Sequence, residues 1–446
     1  YLQHVSTVNG VKKYEIVNVL RRNEKNENGA RQDAIDTVRL LAIANTVLQF
    51  KKSTWGTAKY KMTVEQAQQI HDEVKEKTGL AHQAQALSEP VSVLKDFRNA
   101  PRIAIPDDFN QRYVSNTQEL LETMIEANRS GDFVVMLLEG TYTLQQTMTI
   151  TAENIVIQSV SGNPYDTVIR GSGMQGGMGN LIRVNKSGFK IDGVTLTDAS
   201  FHLVQVAGEM NVDNVEMRNM IFQNAYQQLV KISYNNTQTP EIMSDNGIIA
   251  NSIFQYTKGI APYFYTGGVD GLGTNEWIIE NNIFRDIASP AKHIAQYAVH
   301  FWINSRDNII RNNIFINNDR AIGLGMLNKK INVEYDHQGG VIEGNFIMHT
   351  DDTDPYADTG IAIEQTTGVT IANNQVYLSG RYPRAIEYRF PQTRQNIIRN
   401  NITNKKIASR DNGTAQLQNN QINQDINDYY VELLRKSNEL QIESIY

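Results

Sequence analysis

Pairs of branched apolar residues, separated by a polar doublet, recur along the second half of the chain. Clear copies are WIIENNIFRD at 277, NIIRNNIFIN at 308, GVIEGNFIMH at 340 and NIIRNNITNK at 396. Looser copies are VEMRNMIFQN at 215, GIIANSIFQY at 247, VTIANNQVYL at 369 and AQLQNNQINQ at 415. The doublets begin at Asn219, Asn251, Asn281, Asn312, Gly344, Asn373, Asn400 and Asn419. Subtracting successive positions gives spacings of 32, 30, 31, 32, 29, 27 and 19.

A period of this size is typical of stacked solenoids and is too long for a hairpin. Each repeat holds short segments that alternate with period two, which predicts β-strands and one β-coil per repeat. Asn tolerates the left-handed conformation that a sharp turn needs. Equivalent turns of successive coils should stack and form a ladder of amide hydrogen bonds. The sequence therefore predicts a parallel β-helix.

The segments outside the repeats predict helices at both ends. SNTQELLETMIEANRSGD, from Ser115, reads as a capped helix ending at Gly131, and the strand FVVMLLEGTYTL follows it. Such a helix would close the open end of the solenoid and cover its strand edges. The apolar face of Tyr429 to Leu434 offers a helical cap at the other end.

Residues 1–110 lack the coil pattern and read as an N-terminal helical arm packed along the solenoid, with a partner-binding module as the alternative. Amphipathic helices are predicted at Asp33 to Phe50, Thr63 to Lys77 and, more weakly, Val91 to Phe97. Thr63 and Gln66 form a capping-box pattern. The predicted domains are residues 1–110 as the arm, 111–425 as the β-helix and 426–446 as the C-terminal helical cap.

The composition of the chain excludes several classes of partner and of chemistry. The 446 residues are 40% hydrophobic, carry a net charge of −6 and include no cysteine. The charge and the lack of a Lys/Arg run argue against a nucleic-acid partner. No stretch of about 20 apolar residues predicts a membrane span. Without cysteine, disulfides and thiolate chemistry are excluded. The first residue is Tyr1 rather than Met, which suits a processed secreted protein. We expect a monomer.

A second strand in each repeat carries charged and aromatic residues. The aligned segments are LVKIS at 229, AVHFW at 298, AIGLG at 321, GIAIE at 360 and AIEYR at 385. Since side chains alternate across a strand, the third and fifth residues should point outwards. With coils about 4.8 Å apart, the outward residues form one stripe, made of Lys231, Ser233, His300, Trp302, Gly323, Gly325, Ala362, Glu364, Glu387 and Arg389. The glycines at its middle should leave an open floor for a ligand.

Loops beside this stripe add further candidates. Asp270 lies in the Gly-rich TGGVDGLG turn, which follows Tyr263 and Tyr265. Lys292 and His293 lie in the SPAKHIAQY loop, and His337 lies in the YDHQGG loop. Arg320 begins the RAIGLG strand. The acidic TDDTDPYAD loop is a candidate Ca²⁺ site, with Asp351, Asp352, Asp354 and Asp358, but it lacks the EF-hand spacing. Each group also has an ordinary interpretation: turn formation for Asp270, solvation for the acidic loop, and charge balance for Arg389 beside Glu387.

Three kinds of function fit such a groove. A lyase on a uronic-acid polymer needs a group that neutralises the carboxylate, a base and an acid. Arg320, Arg389 or Ca²⁺ could neutralise the carboxylate. Lys292 or His300 could act as the base, and His337 or a tyrosine could act as the acid. A glycosidase needs two carboxylates, and Asp270 with Glu364 or Glu387 would serve.

A non-catalytic polysaccharide-binding solenoid needs only aromatic and polar rungs. The residues expected to bind the sugar chain are Trp302, Tyr263, Tyr265, His293, Glu387, Gly323 and Gly325. The basic residues near Gly323 favour the lyase, because a glycosidase has less need of them. The predicted partner is an acidic polysaccharide.

The helix followed by a V-x-L-x-x-G-x-Y strand resembles the start of pectate-lyase-like proteins, a superfamily of right-handed parallel β-helices. Within residues 113–425, YTGGVDG, AVHFWINSRDN, RAIGLG, DHQGGVIEGN, TGIAIEQ and AIEYRF resemble a secreted bacterial group that includes the biofilm-matrix exopolysaccharide lyase of vibrios. The resemblance implies β-elimination in a matrix polysaccharide with a guluronic-type uronic acid, and a secreted or periplasmic location. The Ca²⁺ carboxylate cluster of pectate lyases and the closely spaced aspartates of polygalacturonases are missing, which argues against pectin as the substrate.

Overall fold

The protein is described by a computed structural model. It covers residues 2–8, 11–16, 63, 65–66, 68–69, 93–95, 97, 100–235, 242–290, 293–327, 333–350, 354–422 and 442–444. The chain divides into two compact units. Residues 97–424 form one of them, and residues 1–96 with 425–446 form the other.

Residues 97–424 form a right-handed parallel β-helix, as the repeat predicts. Its 12-stranded sheet consists of Asn110–Val114, Phe133–Leu137, Ile155–Ser159, Lys190–Asp192, Glu216–Arg218, Ile248–Ala250, Ile278–Glu280, Ile309–Arg311, Val341–Glu343, Thr370–Ala372, Asn396–Arg399 and Ala415–Gln418. Its 11-stranded sheet consists of Gly140–Thr143, Thr167–Arg170, Thr195–Ala199, Ile221–Ala225, Ile253–Gln255, Ile283–Arg285, Ile314–Ile316, Phe346–His349, Gln375–Leu378, Ile402–Thr403 and Gln421–Ile422.

A third sheet has ten strands, and we name it the site sheet. It consists of Met148–Ile150, Ile182–Val184, Val204–Val206, Val230–Ile232, Val269–Leu272, Tyr297–Trp302, Arg320–Leu324, Ile361–Glu364, Arg384–Arg389 and Lys406–Arg410. A short five-stranded sheet follows it in the coil, with Ser244–Asp245, Thr274–Asn275, Ser305–Arg306, His337–Gln338 and Thr366–Thr367. A 3₁₀ turn spans Gly208–Met210.

The polar doublets divide two tasks between their residues. The first residue of each doublet is left-handed, with φ between 51° at Asn419 and 62° at Gly344. From Asn282 to Asn420, the second residue turns inwards and forms the amide ladder. Asn345 Nδ2, for example, donates to Asn374 Oδ1 at 2.9 Å, and its Oδ1 accepts from Asn313 Nδ2 at 3.0 Å. Buried amides are stable here because each of them is paired with the next coil.

A column of stacked phenylalanines runs beside the ladder inside the solenoid. Phe222, Phe254, Phe284 and Phe315 succeed one another with ring centroids 4.5, 4.5 and 4.9 Å apart. All four are buried in one continuous apolar core. The aromatic residue of the repeated Ile-Phe pair therefore keeps the coils in register.

The predicted capping helix spans Thr117–Ser130. Asn116 Oδ1 accepts from Glu119 N at 3.0 Å, and Gly131 ends the helix with φ 66°. Leu120, Met124 and Ala127 are buried in the core. The helix thus covers the end of the apolar core, where the next coil is missing.

In the other unit, the described residues include strands that the sequence did not predict. Leu2–Val8 pairs antiparallel with Val11–Ile16, and Asn9-Gly10 between them is a hairpin signal that the prediction missed. Val93–Lys95, within the predicted helix at Val91 to Phe97, is a strand paired with Ile442–Ser444. That prediction was wrong because the partner strand lies about 350 residues away and local pattern does not reveal it.

The capping box at Thr63 is present. Thr63 N donates to Gln66 Oε1 at 2.7 Å, and Gln66 N donates to Thr63 Oγ1 at 3.2 Å. The predicted helix at residues 33–50, the rest of the helix at 63–77 and the cap at 429–434 lie outside the described residues. Among the described residues, no helix is long and apolar enough to cross a membrane.

Candidate functional site

The outward stripe of the site sheet exists in the register that the sequence alignment gave. His300 pairs with Gly323, Gly323 with Ala362, and Ala362 with Glu387. One rung was missed: Asp270 lies between Lys231 and His300. Asp270 is therefore a strand residue and not part of a flexible turn, which corrects its predicted position. The GGVDGLG segment can form a strand because neighbouring coils supply its backbone partners on both sides.

Asp270 is the centre of a buried polar cluster. Its carboxylate forms a salt bridge with Lys231 Nζ, and its Oδ1 accepts from Trp302 Nε1 at 2.7 Å. Burial would raise the pKa of this carboxyl, but Lys231, His300 and the two hydrogen bonds outweigh it and lower the pKa below the usual range. Asp270 is therefore an anion whose oxygens are already engaged.

His300 lies on the outer side of the sheet, as predicted, but it is covered. The side chain is only 4% exposed, and its ring stacks on Trp302 with centroids 5.2 Å apart. Its Nε2 atom is 3.1 Å from the carbonyl oxygen of Gly325. Burial lowers the pKa of His300 to about 4. The imidazole is therefore uncharged near neutral pH.

Tyr297 occupies the space where the sequence predicts an open glycine floor. A Cβ atom at Gly323 would lie 2.6 Å from the Tyr297 ring and 2.9 Å from the His300 ring. Gly325 has φ 70° and approaches the Glu364 backbone, so it serves the turn and not an open floor. The expected floor was wrong because an aromatic residue from the preceding coil fills it.

A row of four side chains results. The Arg320 guanidinium lies 4.2 Å from the centre of the Tyr297 ring, and the Tyr297 and His300 rings are 4.9 Å apart. Trp302 completes the row behind His300. Burial raises the pKa of the Tyr297 phenol above its ordinary value, although Arg320 opposes the effect. Arg320, Tyr297, His300 and Trp302 are called the aromatic row below.

The carboxylates predicted for the stripe form a separate ionic network. Glu364 Oε1 is 2.6 Å from Arg389 Nη1. Glu387 accepts a hydrogen bond from the hydroxyl of Tyr382, and its Oε1 lies 3.6 Å from Arg410 Nη1. Arg389 also binds Asp411, at 3.0 Å. Glu364 and Glu387 are both buried, so these pairs are far less screened than surface salt bridges.

Asp358 from the acidic loop also belongs to this end of the site. Burial raises the pKa of its carboxyl, while Arg320 lowers it and Glu387 raises it further. Its Oδ1 atom is buried and has no hydrogen-bond partner in the described part of the chain. Burial therefore favours the protonated form of Asp358.

Aromatic residues cluster in the loops that precede the site-sheet strands. The rings of Tyr226 and Tyr263 are stacked at 5.3 Å, and Phe264 contacts His293 edge to face at 4.9 Å. Tyr265 and His293 are exposed. Three of these residues are the predicted sugar-binding residues Tyr263, Tyr265 and His293.

One predicted site residue, His337, does not join the row. His337 is completely buried in the five-stranded sheet, with Nε2 3.1 Å from Asn308 Nδ2, and not in a loop. Burial lowers its pKa to about 3. A residue without exposed surface cannot protonate a polymer, so His337 is a core residue. Lys292 lies outside the described residues.

The acidic loop is described only in part. Asp351 and Asp352 lie outside the described residues. Asp354 Oδ2 is 3.4 Å from His349 Nε2, and Asp358 faces the ionic network instead. Within the described ranges, no group of three or more histidines and carboxylates is placed to hold a metal ion.

Sequence reasoning missed Tyr297 because the alternation of side chains breaks at the start of its strand. Ala298 and Val299 both pack in the core, as do Ala321 and Ile322 one coil later. A strict period of two therefore counts Tyr297 as an inward residue. The available signal was the small Ala in both strands, next to the aligned pair Tyr297 and Arg320.

No protein-family model and no curated protein matches the chain. Solved structures that resemble it include an alginate lyase from Paenibacillus sp. str. FPU-7, with a TM-score of 0.46 and 13% identity over 71% of this chain and 99% of that chain. The polygalacturonase of Erwinia carotovora ssp. carotovora has a TM-score of 0.45 and 10% identity over 72% of this chain and 96% of that chain. The A-module of a mannuronan C-5 epimerase from Azotobacter vinelandii has a TM-score of 0.34 and 13% identity over 69% of this chain and 95% of that chain.

The reactions named for these three proteins differ. The likenesses are distant in sequence and below a TM-score of 0.5. A shared fold does not select a reaction. The function is therefore argued from the side chains of this chain.

Proposed function

We propose that the protein is a secreted polysaccharide lyase that cleaves a uronic-acid-containing exopolysaccharide, such as that of a biofilm matrix, by β-elimination. The observation that supports this most directly is the state of Arg320. Its Nε and Nη2 atoms donate to the carbonyl oxygen of Ala295 at 3.1 and 2.8 Å. Among the described residues it forms no salt bridge, whereas Arg389 and Arg410 are both paired with carboxylates. Arg320 is thus a fixed cation with spare donors.

In the proposed reaction, Arg320 binds the substrate carboxylate and stabilises the negative charge that develops on it. His300 removes the proton from C5 of the uronate. Tyr297 donates its phenolic proton to O4 as the C4–O4 bond breaks and the C4=C5 double bond forms. The proton then returns from His300 to Tyr297 through solvent. These roles suit an imidazole held neutral and a phenol whose raised pKa keeps its proton.

The paired carboxylates suit a hydrolase less well. Asp270 is engaged by Lys231 and Trp302, and Glu364 by Arg389. A glycosidase needs one protonated carboxyl as the acid and one free carboxylate as nucleophile or base. Asp358 is the exception, because its pKa is raised and one of its oxygens has no hydrogen-bond partner among the described residues. Hydrolysis with Asp358 as the acid is therefore the second candidate function.

The reaction products distinguish the candidates. The protein is incubated with purified uronic-acid polysaccharides, biofilm matrix material among them. Lyase action gives a C4=C5 double bond conjugated with the carboxylate, which absorbs ultraviolet light. New reducing ends without that absorbance would show hydrolysis. Binding of the polymer without either product would show a non-catalytic binding solenoid.

Arg320→Lys tests the role of the free guanidinium. Lysine keeps the charge but loses the forked donors and the planar contact with Tyr297. We expect kcat/KM to fall by about 100-fold. The matched control is Arg394→Lys, because Arg394 also lies over a tyrosine ring, that of Tyr335, at 5.4 Å, but pairs with Glu334 at an exposed position. Equal activity of both variants would remove Arg320 from the mechanism.

A further inference from the structure

Asp336 is a fully buried carboxylate beneath the aromatic row. Its Oδ2 atom accepts from Ile303 N at 3.0 Å and from Met326 N at 2.9 Å. Its Oδ1 atom is buried without a hydrogen-bond partner in the described part of the chain. The backbone N–H of Asn304 also stabilises the charged form, and no cation pairs with Asp336 among the described residues. This is an unusual environment for a carboxylate in a core, and it calls for an explanation beyond stability.

The two backbone groups that Asp336 binds lie on either side of His300. Ile303 follows Trp302, the residue on which the His300 ring stacks. Met326 N and Gly325 O belong to one peptide group, and Gly325 O is 3.1 Å from His300 Nε2. Asp336, this peptide group and His300 therefore form one continuous chain of hydrogen bonds.

This chain determines the position of the imidazole proton. A carbonyl oxygen can only accept a hydrogen bond, so Nε2 of His300 must carry the hydrogen. In the neutral ring the lone pair then lies on Nδ1, to which no described residue donates a hydrogen bond. A carboxylate that binds the far end of the peptide polarises it and strengthens the carbonyl as an acceptor.

We propose that Asp336 is the positioning residue of His300: through the Gly325–Met326 peptide it fixes the Nε2–H tautomer and leaves Nδ1 as the basic nitrogen. The inference concerns the proposed lyase reaction and rests on His300 being its base. It is an indirect form of the carboxylate–histidine pair in which one peptide group separates the two side chains.

The backbone beside Asp336 supports a role that goes beyond filling space. Ile303 has φ 53° and Asn304 has φ 59°. A left-handed conformation is unfavourable for a β-branched residue such as isoleucine. Strain of this kind costs about 1–3 kcal/mol and is typical of functional sites. The hydrogen bond from Ile303 N to Asp336 holds Ile303 in this conformation. Ile303 directly follows Trp302, so the same bond helps to position the indole on which the His300 ring stacks.

Several charged and titratable groups act on His300 besides this chain. Asp270 stabilises the protonated imidazole, whereas Arg320 and Lys231 disfavour it. His337 interacts with His300 electrostatically, and Glu364 acts on Asp336. Burial raises the pKa of Asp336 to about 6, so the carboxylate is charged above that pH. At pH 7, where Asp336 is charged and His300 is neutral, the carboxylate therefore acts on the tautomer of the imidazole and not on its protonation.

The test is ¹⁵N NMR of the full-length protein labelled at histidine ring nitrogens, with the His300 signals assigned by their loss in His300→Gln. We expect a protonated Nε2 and an unprotonated Nδ1 at neutral pH. A proton on Nδ1 would overturn the proposal. This measurement needs no substrate, so it remains decisive even if no polysaccharide is cleaved and the proposed function fails.

Asp336→Asn tests the chain itself. We expect the Nδ1–H tautomer of His300 to gain population at pH 7, where the wild-type carboxylate is charged, and kcat/KM at pH 7 to fall by about 10-fold, with KM changed less than twofold. The control is Asp213→Asn, because Asp213 also accepts a backbone hydrogen bond, from Asp245, and lies outside the chain of hydrogen bonds to His300. The control should change neither the tautomer nor kcat/KM. An unchanged tautomer in Asp336→Asn would contradict the proposal, and if that variant does not fold, the wild-type tautomer decides.

Discussion

The ring of Tyr297 occupies the volume that any side chain at Gly323 would need, so the two residues are sterically coupled across neighbouring coils. Glycine at 323 is required by this close approach and not by its backbone angle, because Gly323, unlike Gly325, does not have a positive φ. The coupling fixes the phenol between Arg320 and His300. It gives the aromatic row its geometry.

Gly323→Ala should therefore displace Tyr297 without unfolding the solenoid. The added methyl group would overlap the phenol, and a shift of about 1 Å in a reacting group can cost up to 100-fold in rate. We expect kcat to fall by about 10- to 100-fold, with an unchanged far-ultraviolet circular dichroism spectrum. Ala408→Gly, in the same column next to Glu387, is the control. Wild-type kcat in folded Gly323→Ala would show that the position of Tyr297 is unimportant.

The amide ladder should dominate the stability of the central coils. Asn345→Ala removes the acceptor of the Asn313 amide and the donor to Ile310 O in a fully buried region. Unpaired buried polar groups cost about 1–3 kcal/mol each, so we expect a loss of about 2–4 kcal/mol in the free energy of unfolding. Chemical denaturation measures it.

The partly exposed end of the same ladder provides the comparison. Asn420 donates to Ile398 O and accepts from Asn401, but it is accessible to water. Water can replace the lost partners there, so Asn420→Ala should cost less than half as much as Asn345→Ala. Equal losses at the two positions would contradict the view that burial makes the ladder important.

The sequence predicted the repeated parts of the molecule well because the same pattern of a polar doublet between apolar pairs recurs in each coil. The left-handed first residue and the stacking of the doublets follow from Asn at a fixed place in every coil. The register of His300, Gly323 and Glu387 follows from aligned strands. The parts that were missed are those where the rule breaks: the paired inward residues after Tyr297, and the strand at Asp270.

Burial of polar groups was also beyond the sequence. His337 and Asp336 are adjacent in a polar, glycine-rich segment that looks like a surface loop. Both are buried, because the five-stranded sheet turns this segment into an interior column. A short polar strand whose partners lie in neighbouring coils has no signature in local sequence.

The aromatic loops should contribute to sugar binding and not to the chemical step. Tyr263 stacks on Tyr226 beside the exposed Tyr265. Aromatic contacts are worth about 0.5–1.5 kcal/mol, so Tyr263→Ala should raise the Kd for the polymer by about 2- to 10-fold and leave kcat nearly unchanged. Calorimetric titration measures the affinity. Tyr113→Ala, at a tyrosine that is 61% exposed, is the control. A loss confined to kcat would place Tyr263 at the reacting centre.

The buried His337 should make the protein less stable in acid. Its pKa is about 3 in the folded protein, against an ordinary value of 6.5, because burial disfavours the charged ring. Between these values the unfolded chain binds one proton more than the folded chain. Stability is therefore fully present above about pH 6.5 and falls by up to about 1.4 kcal/mol per pH unit as the pH decreases towards 3. His202 and His300, with pKa values of about 4, act in the same direction, whereas Asp319 and Asp336 act in the opposite direction.

His337→Gln isolates this one contribution, because Gln keeps an acceptor for Asn308 Nδ2 but does not titrate. We expect the variant to be less stable than the wild type at pH 7, by about 1–3 kcal/mol, and the difference to shrink as the pH falls from 6.5. Denaturation curves at several pH values measure it. Thr366→Ser, in the next strand of the same column, is the non-titrating control whose difference should stay constant with pH. A constant difference for His337→Gln as well would mean that His337 is not held uncharged in the folded protein.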